Sequence, residues 1–146
     1  VHGYYHDSFN YAAMQQELLA PLGPSGDRWY RRAVYDFRVE SPVDQPRERA
    51  DDQAVLLFEG VFVLRPELID HWDYTVFVHA DFDVALQRAE VREREHFGDP
   101  ETVRRKYEGR YIPGQRMYFE QCEPHRRADA VVDNNDPARP VVHFNR

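Results

Sequence analysis

Apolar positions change their spacing several times along this chain. From Tyr11 to Leu22 (YAAMQQELLAPL) they recur at roughly helical intervals among good helix formers, which predicts a helix. Gly23-Pro24-Ser25-Gly26-Asp27 ends it as a loop. Trp29 to Val39 (WYRRAVYDFRV) is rich in β-branched and aromatic residues and predicts a strand or hairpin arm. Glu40 to Asp52 is polar, holds two prolines, and predicts a surface loop.

Two continuous apolar runs follow. Ala54–Phe58 (AVLLF) and Tyr74–Val78 (YTVFV) read as central strands covered on both faces, the habit of a parallel sheet. Between them, Pro66 in VFVLRPELIDHW suits the first turn of a short helix. Phe82 to Phe97 predicts a charged helix. Asp99-Pro100-Glu101 is a helix start, with an N-cap carboxylate, a first-turn proline and a further acid, and that helix runs toward Tyr111. Pro113 is expected to open another (GQRMYFEQC), and ADAVV (128–132) and VVHF (141–144) to form short strands around a DNNDP turn. Alternating strands and helices predict an α/β three-layer sandwich with a mainly parallel sheet. The expected organisation is a single domain over 1–146, with a lid-like helical region at about 88–116.

Composition narrows the setting. The hydrophobic share of 42% and aromatic share of 14% are those of a globular chain. A net charge of −7 disfavours non-specific binding to nucleic acid or to an anionic membrane surface. The single Cys122 excludes an intramolecular disulfide and points to a reducing cytoplasm. No stretch has the length of a membrane span and no signal peptide is visible. The seven histidines are scattered without HExxH spacing, so no zinc site is expected, and no GxSxG is present.

Three groups of residues carry candidate chemistry. Glu59 follows the apolar run, and ligands of parallel sheets sit beyond the carboxyl ends of strands. A strand-end acid can hold Mg²⁺; it can equally cap or pair at the surface. Arg88 and Arg92 stand four apart on one helix face, placed for phosphate, or else neutralised by Glu90, Glu93, Glu95 and Glu101 as a solvated helical face. Tyr4, Tyr5, His6 and Asp7, with Tyr35, Asp36 and Phe37, are aromatics beside carboxylates that suit a base and sugar hydroxyls, or simply a core.

Taken in order, GYYHDSFNY, AVYDF, AVLLFEGVFVLRPEL, WDYTVFV, RAEVRERE, YIPGQRMY and ADAVVDNNDP resemble the uridine kinase-like P-loop nucleoside kinases, from Gly3 to Pro137. The resemblance implies a P-loop kinase-like fold and transfer of the γ-phosphoryl of ATP to a nucleoside 5′-hydroxyl, with Mg²⁺ as cofactor. It implies that Glu59 lies near Mg²⁺ and that Arg88 and Arg92 belong to a lid over the phosphates. Tyr35 and Phe37 would line the base pocket, Tyr5, His6 and Asp7 would contact ribose, and Asn134 and Asn135 would lie by the adenine of ATP. Such enzymes often form homo-oligomers.

The sequence also departs from that pattern. It has no GxxxxGK[ST] loop, no acid to activate the hydroxyl, and Glu40 near where uridine-specific enzymes carry a histidine. The missing loop and first strand lead to the expectation that the chain is a piece of a longer protein. The alternatives are a non-catalytic nucleotide- or nucleoside-binding remnant, or a related kinase for another small hydroxylated acceptor.

Overall fold

The computed structural model describes residues 2–36 and 38–145. In chain order the elements are α1 (His2–His6), α2 (Tyr11–Met14), a π-helical segment (Gln15–Leu19), α3 (Ala20–Leu22), β1 (Trp29–Tyr30), β2 (Tyr35–Asp36), β3 (Ser41–Pro42) and β4 (Glu48–Arg49). A 3-10 turn (Ile69–His71) precedes β5 (Val76–His79), α4 (Phe82–Arg92), α5 (Arg94–Phe97), α6 (Pro100–Lys106) and a second π-helical segment (Tyr107–Tyr111). Then come α7 (Ile112–Cys122), α8 (Pro124–Arg127), β6 (Ala130–Asp133) and β7 (Val141–Phe144). The chain divides into two compact units: Val1–Ser8 with Val61–Arg146, and Phe9–Gly60.

Both π-helical segments have the same cause. Each ends two residues before a proline, Pro21 in one case and Pro113 in the other. A proline inside a helix has no N–H to donate and its ring crowds the carbonyl four residues back. Widening the preceding turn relieves that crowding without breaking the helix. The carbonyl that Pro21 cannot serve, that of Glu17, instead accepts the backbone N–H of Arg31 at 2.9 Å. Pro113 therefore does not open a separate helix: α6, the π-helical segment and α7 follow one another without a break.

In the Phe9–Gly60 unit the Asn10 side chain caps α2, accepting from the Ala13 N–H at 3.0 Å. The region 29–49 forms two short antiparallel pairs, β1 with β4 and β2 with β3. Arg31 and Arg47 converge on the Glu17 carboxylate at 3.2 and 3.1 Å.

The larger unit is built on a three-stranded sheet in the order β5-β6-β7. β5 and β6 are parallel and β7 is antiparallel to β6. Thr75 and Asp129 lock the first pair: the Asp129 carboxylate accepts from the Thr75 N–H and hydroxyl, each at 2.8 Å. Phe77 projects onto Phe119 of α7, with ring centres 5.6 Å apart.

The core lies between α1, α7 and the 61–68 segment. Tyr5, Phe62, Leu64, Leu68, Tyr118 and Cys122 are all buried. Each large side chain so buried contributes about 1.5–3 kcal/mol of transfer free energy. Rings of Tyr5 and Tyr118 meet Phe62 at 5.2 and 5.3 Å, edge to face. The Tyr118 hydroxyl accepts the Leu64 N–H at 3.1 Å, satisfying a buried donor in a segment without regular structure.

The expected three-layer, P-loop kinase-like sandwich with a mainly parallel sheet is not what forms. The described residues hold only two- and three-stranded sheets, with one parallel pair among four pairings. The decisive difference is at Ala54–Phe58. It forms no strand, and Val55 and Leu57 are 91% and 96% exposed. An apolar run marks a segment that gains from burial but does not specify a neighbour to bury against. The other run does pair, as β5, and still leaves Val76 and Val78, which share one face, half exposed.

Candidate functional site

The helical stretch after β5 sets up the site. Asp81 precedes α4, and α4 presents Arg88 and Arg92 one turn apart. Asp99 starts α6 as the sequence predicts: its carboxylate accepts from the Thr102 N–H at 2.9 Å and the Thr102 hydroxyl at 2.8 Å. Those bonds to the ionised form, first among them the backbone one, hold the Asp99 carboxyl below its ordinary range. The π-helical turn then carries Tyr107 and Tyr111 side by side, ring centres 5.0 Å apart.

These elements enclose an open cleft of about 380 Å³. Its walls include Tyr4, Arg88, Arg92, Phe97, Tyr107 and Tyr111. Tyr4 is set by close packing. A Cβ at Gly114 would stand 2.5 Å from its Cδ1, so only glycine on α7 admits the ring there. Tyr4 also meets Tyr111 at 5.0 Å and Phe62 at 5.2 Å. Burial raises the Tyr4 and Tyr107 phenols above their ordinary values; around Tyr4 the neighbouring Tyr111 and Tyr107 add to this, while around Tyr107 the Arg92 guanidinium opposes it.

The two arginines have different partners. Arg88 Nη2 donates to the carbonyl oxygens of Asn134 and Asn135 at 2.8 and 2.9 Å. Arg92 donates to the Glu93 carboxylate at 2.9 Å and to the Tyr107 hydroxyl at 3.2 Å, and its side chain stays 68% exposed. The Glu93 hydrogen bond, first of all, holds the Arg92 guanidinium more firmly protonated than usual.

The residues read from the sequence fare unequally. Arg88, Asn134 and Asn135 are brought together beside α4, while Arg92, the last residue of that helix, bonds Glu93 and Tyr107 instead. The Asn135 side chain accepts the Asp81 N–H at 2.8 Å, its own N–H goes to Asp133 at 2.9 Å, and the Asn134 N–H goes to the His79 carbonyl at 2.8 Å. Tyr5 is a core residue, 2% exposed, with its hydroxyl and the Cys122 thiol 3.4 Å apart in a shared hydrogen bond. Arg65 covers its ring at 4.5 Å and donates to its carbonyl at 2.8 Å. His6 packs edge-on against Tyr5 at 4.8 Å, and Asp7 is exposed. Tyr35, 53% exposed on β2 opposite Pro42, belongs to the other unit, and Phe37 lies outside the described residues.

Glu59 is exposed and lies in no strand. Among the described residues no three His, Cys, Asp or Glu side chains gather where a metal ion would fit. Mg²⁺ needs near-octahedral oxygen ligation, drawn from carboxylates, phosphates and water. Glu59 offers one exposed carboxylate toward such a set.

Sequence reasoning did not single out Tyr107, Tyr111 or Phe97. The available signal was the pair of tyrosines four apart just before Pro113, where the helix has to widen. No family model matches the chain and no solved structure matches it significantly. No helix among the described residues is long and apolar enough to cross a membrane.

Proposed function

We propose that the cleft around Arg92 receives the phosphate groups of a nucleotide, and that the protein acts as an ATP-dependent phosphotransferase of the nucleoside-kinase type. The carrying observation is Arg92 itself: a guanidinium oriented by a phenol, largely exposed, on the wall of an open cleft whose lining includes four aromatic rings, those of Tyr4, Phe97, Tyr107 and Tyr111. A guanidinium presents several parallel N–H donors suited to phosphate oxygens, and aromatic walls suit a planar base. Arg92 would neutralise phosphate charge, exchanging its bond to Glu93 for bonds to the ligand. Tyr107 would hold the guanidinium in place, and the rings of Tyr4 and Tyr111 would limit water beside the phosphates. The order of the segments that resemble nucleoside kinases supports ATP as donor and a nucleoside hydroxyl as acceptor.

A second reading has its own support. The sequence holds no GxxxxGK[ST] loop, which favours nucleotide binding without transfer. Calorimetric titration with ATP, followed by a phosphotransfer screen over uridine, cytidine and other hydroxylated acceptors, separates the two. Binding with transfer supports the first reading. Binding without transfer to any acceptor leaves the second. No heat at millimolar ATP removes both.

A further inference from the structure

Arg88 and Arg92 stand on one face of α4, yet their donors go to different kinds of oxygen. Arg88 is part-buried, and one of its nitrogens serves two main-chain carbonyls, those of Asn134 and Asn135, 46 and 47 residues along the chain. The same loop is held at three further points: by Asp81 on the Asn135 side chain, by His79 on the Asn134 N–H, and by Asp133 on the Asn135 N–H. Carbonyl oxygens in a connecting loop have no ladder partner, and a charged donor is the strongest partner available to them. These bonds use the Nη2 donors, so Arg88 can turn that nitrogen to a phosphate only by releasing the loop. Arg92, by contrast, holds only side chains, one of them a carboxylate that an anionic ligand can replace.

From this we infer that Arg88 is a positioning residue, which clamps the 133–136 loop against α4, and that Arg92 alone of the two contacts the ligand's phosphates. The inference rests on the nucleotide reading of the cleft for its ligand half, while the clamp itself stands on the hydrogen bonds. Arg88 also lines the cleft, so the loop it holds is joined to the cleft wall through this one side chain. Its order then matters to the part of the ligand that is not phosphate.

The test uses the full chain and two probes, inorganic triphosphate and ATP, with amide hydrogen exchange at Asn134 and Asn135 as the separate readout. Arg88→Gln is expected to speed exchange at those amides tenfold or more. It should weaken ATP by about fivefold to tenfold and leave triphosphate within twofold. Arg88→Lys, which keeps the charge and a donor, should recover part of both effects. Arg92→Gln should weaken both probes and leave the exchange unchanged. A general loss of fold in Arg88→Gln would move both probes together, and the lysine variant then carries the comparison. The inference is overturned if an Arg88 variant that keeps its fold weakens triphosphate as much as Arg92→Gln does, or if exchange at the loop does not change. Failure of the wild-type chain to bind either probe overturns the ligand half and the nucleotide reading together, and the exchange rates still decide the clamp.

Discussion

Arg92 and Tyr107 meet across fifteen residues of chain, the guanidinium donating to the phenol oxygen at 3.2 Å. The contact ties the end of α4 to the π-helical turn and fixes where the one exposed arginine of the cleft points. A charge-assisted hydrogen bond to a ligand is worth about 1.5–3 kcal/mol. Arg92→Gln is therefore expected to weaken triphosphate by about tenfold or more, measured by calorimetry. Tyr107→Phe, which removes only the orienting oxygen, should cost a smaller factor of about two to three.

Gly114 is the closest packing point of the cleft. Alanine there places a methyl 2.5 Å from Tyr4 Cδ1, and the ring has to move. Overpacking of this kind costs about 1–3 kcal/mol. Gly114→Ala should lower the free energy of unfolding by that amount, shifting the denaturation midpoint down, and also weaken ligand binding, since Tyr4 is a wall of the site. An unchanged midpoint would show that Tyr4 has room the packing denies it.

Tyr118 joins the core to the 61–68 segment through its hydroxyl. Tyr118→Phe keeps the ring and leaves the Leu64 N–H buried without its acceptor. That is worth about 1–3 kcal/mol in chemical denaturation. A loss below a few tenths would mean that Leu64 finds another partner.

Tyr5 gives the fold an alkaline limit. Burial, together with the Cys122 thiol, holds its phenol well above the ordinary value. The folded state therefore retains this proton more tightly than the unfolded chain. The stability it contributes is complete below about pH 10, the ordinary tyrosine value, and declines as pH rises from there toward the folded value. Tyr4 and Tyr107 act in the same direction. Tyr5→Phe should make stability fall less steeply above pH 10 in denaturation experiments across that range, with the remainder due to the other two. An identical slope in the variant would contradict this.

How much of this was legible beforehand depends on the range of the interaction. Local signals read well: Asp99 caps α6, Tyr11–Leu22 is helical throughout, and VVHF forms β7. The pairing of Arg88 with Arg92 followed from helical spacing, but what each arginine bonds did not, because the partners of Arg88 lie 46 and 47 residues away. Ala54–Phe58 shows the limit most clearly. Its apolar character was plain, and the expected buried strand failed because pairing depends on a neighbour that no local pattern supplies. Tyr5 likewise read as a candidate sugar contact, since an aromatic beside polar residues looks alike whether it lines a pocket or fills a core.

The central claim is that the Arg92 cleft binds the phosphates of a nucleotide. Its most direct test is an NMR titration of the ¹⁵N-labelled chain with ATP, following both backbone amides and arginine side-chain N–H groups. The account expects the largest shifts at the Arg92 side chain and at residues 88–93 and 107–115, with the Arg92 response lost in Arg92→Gln. Shifts confined to Phe9–Gly60, or none at millimolar ATP, would contradict it.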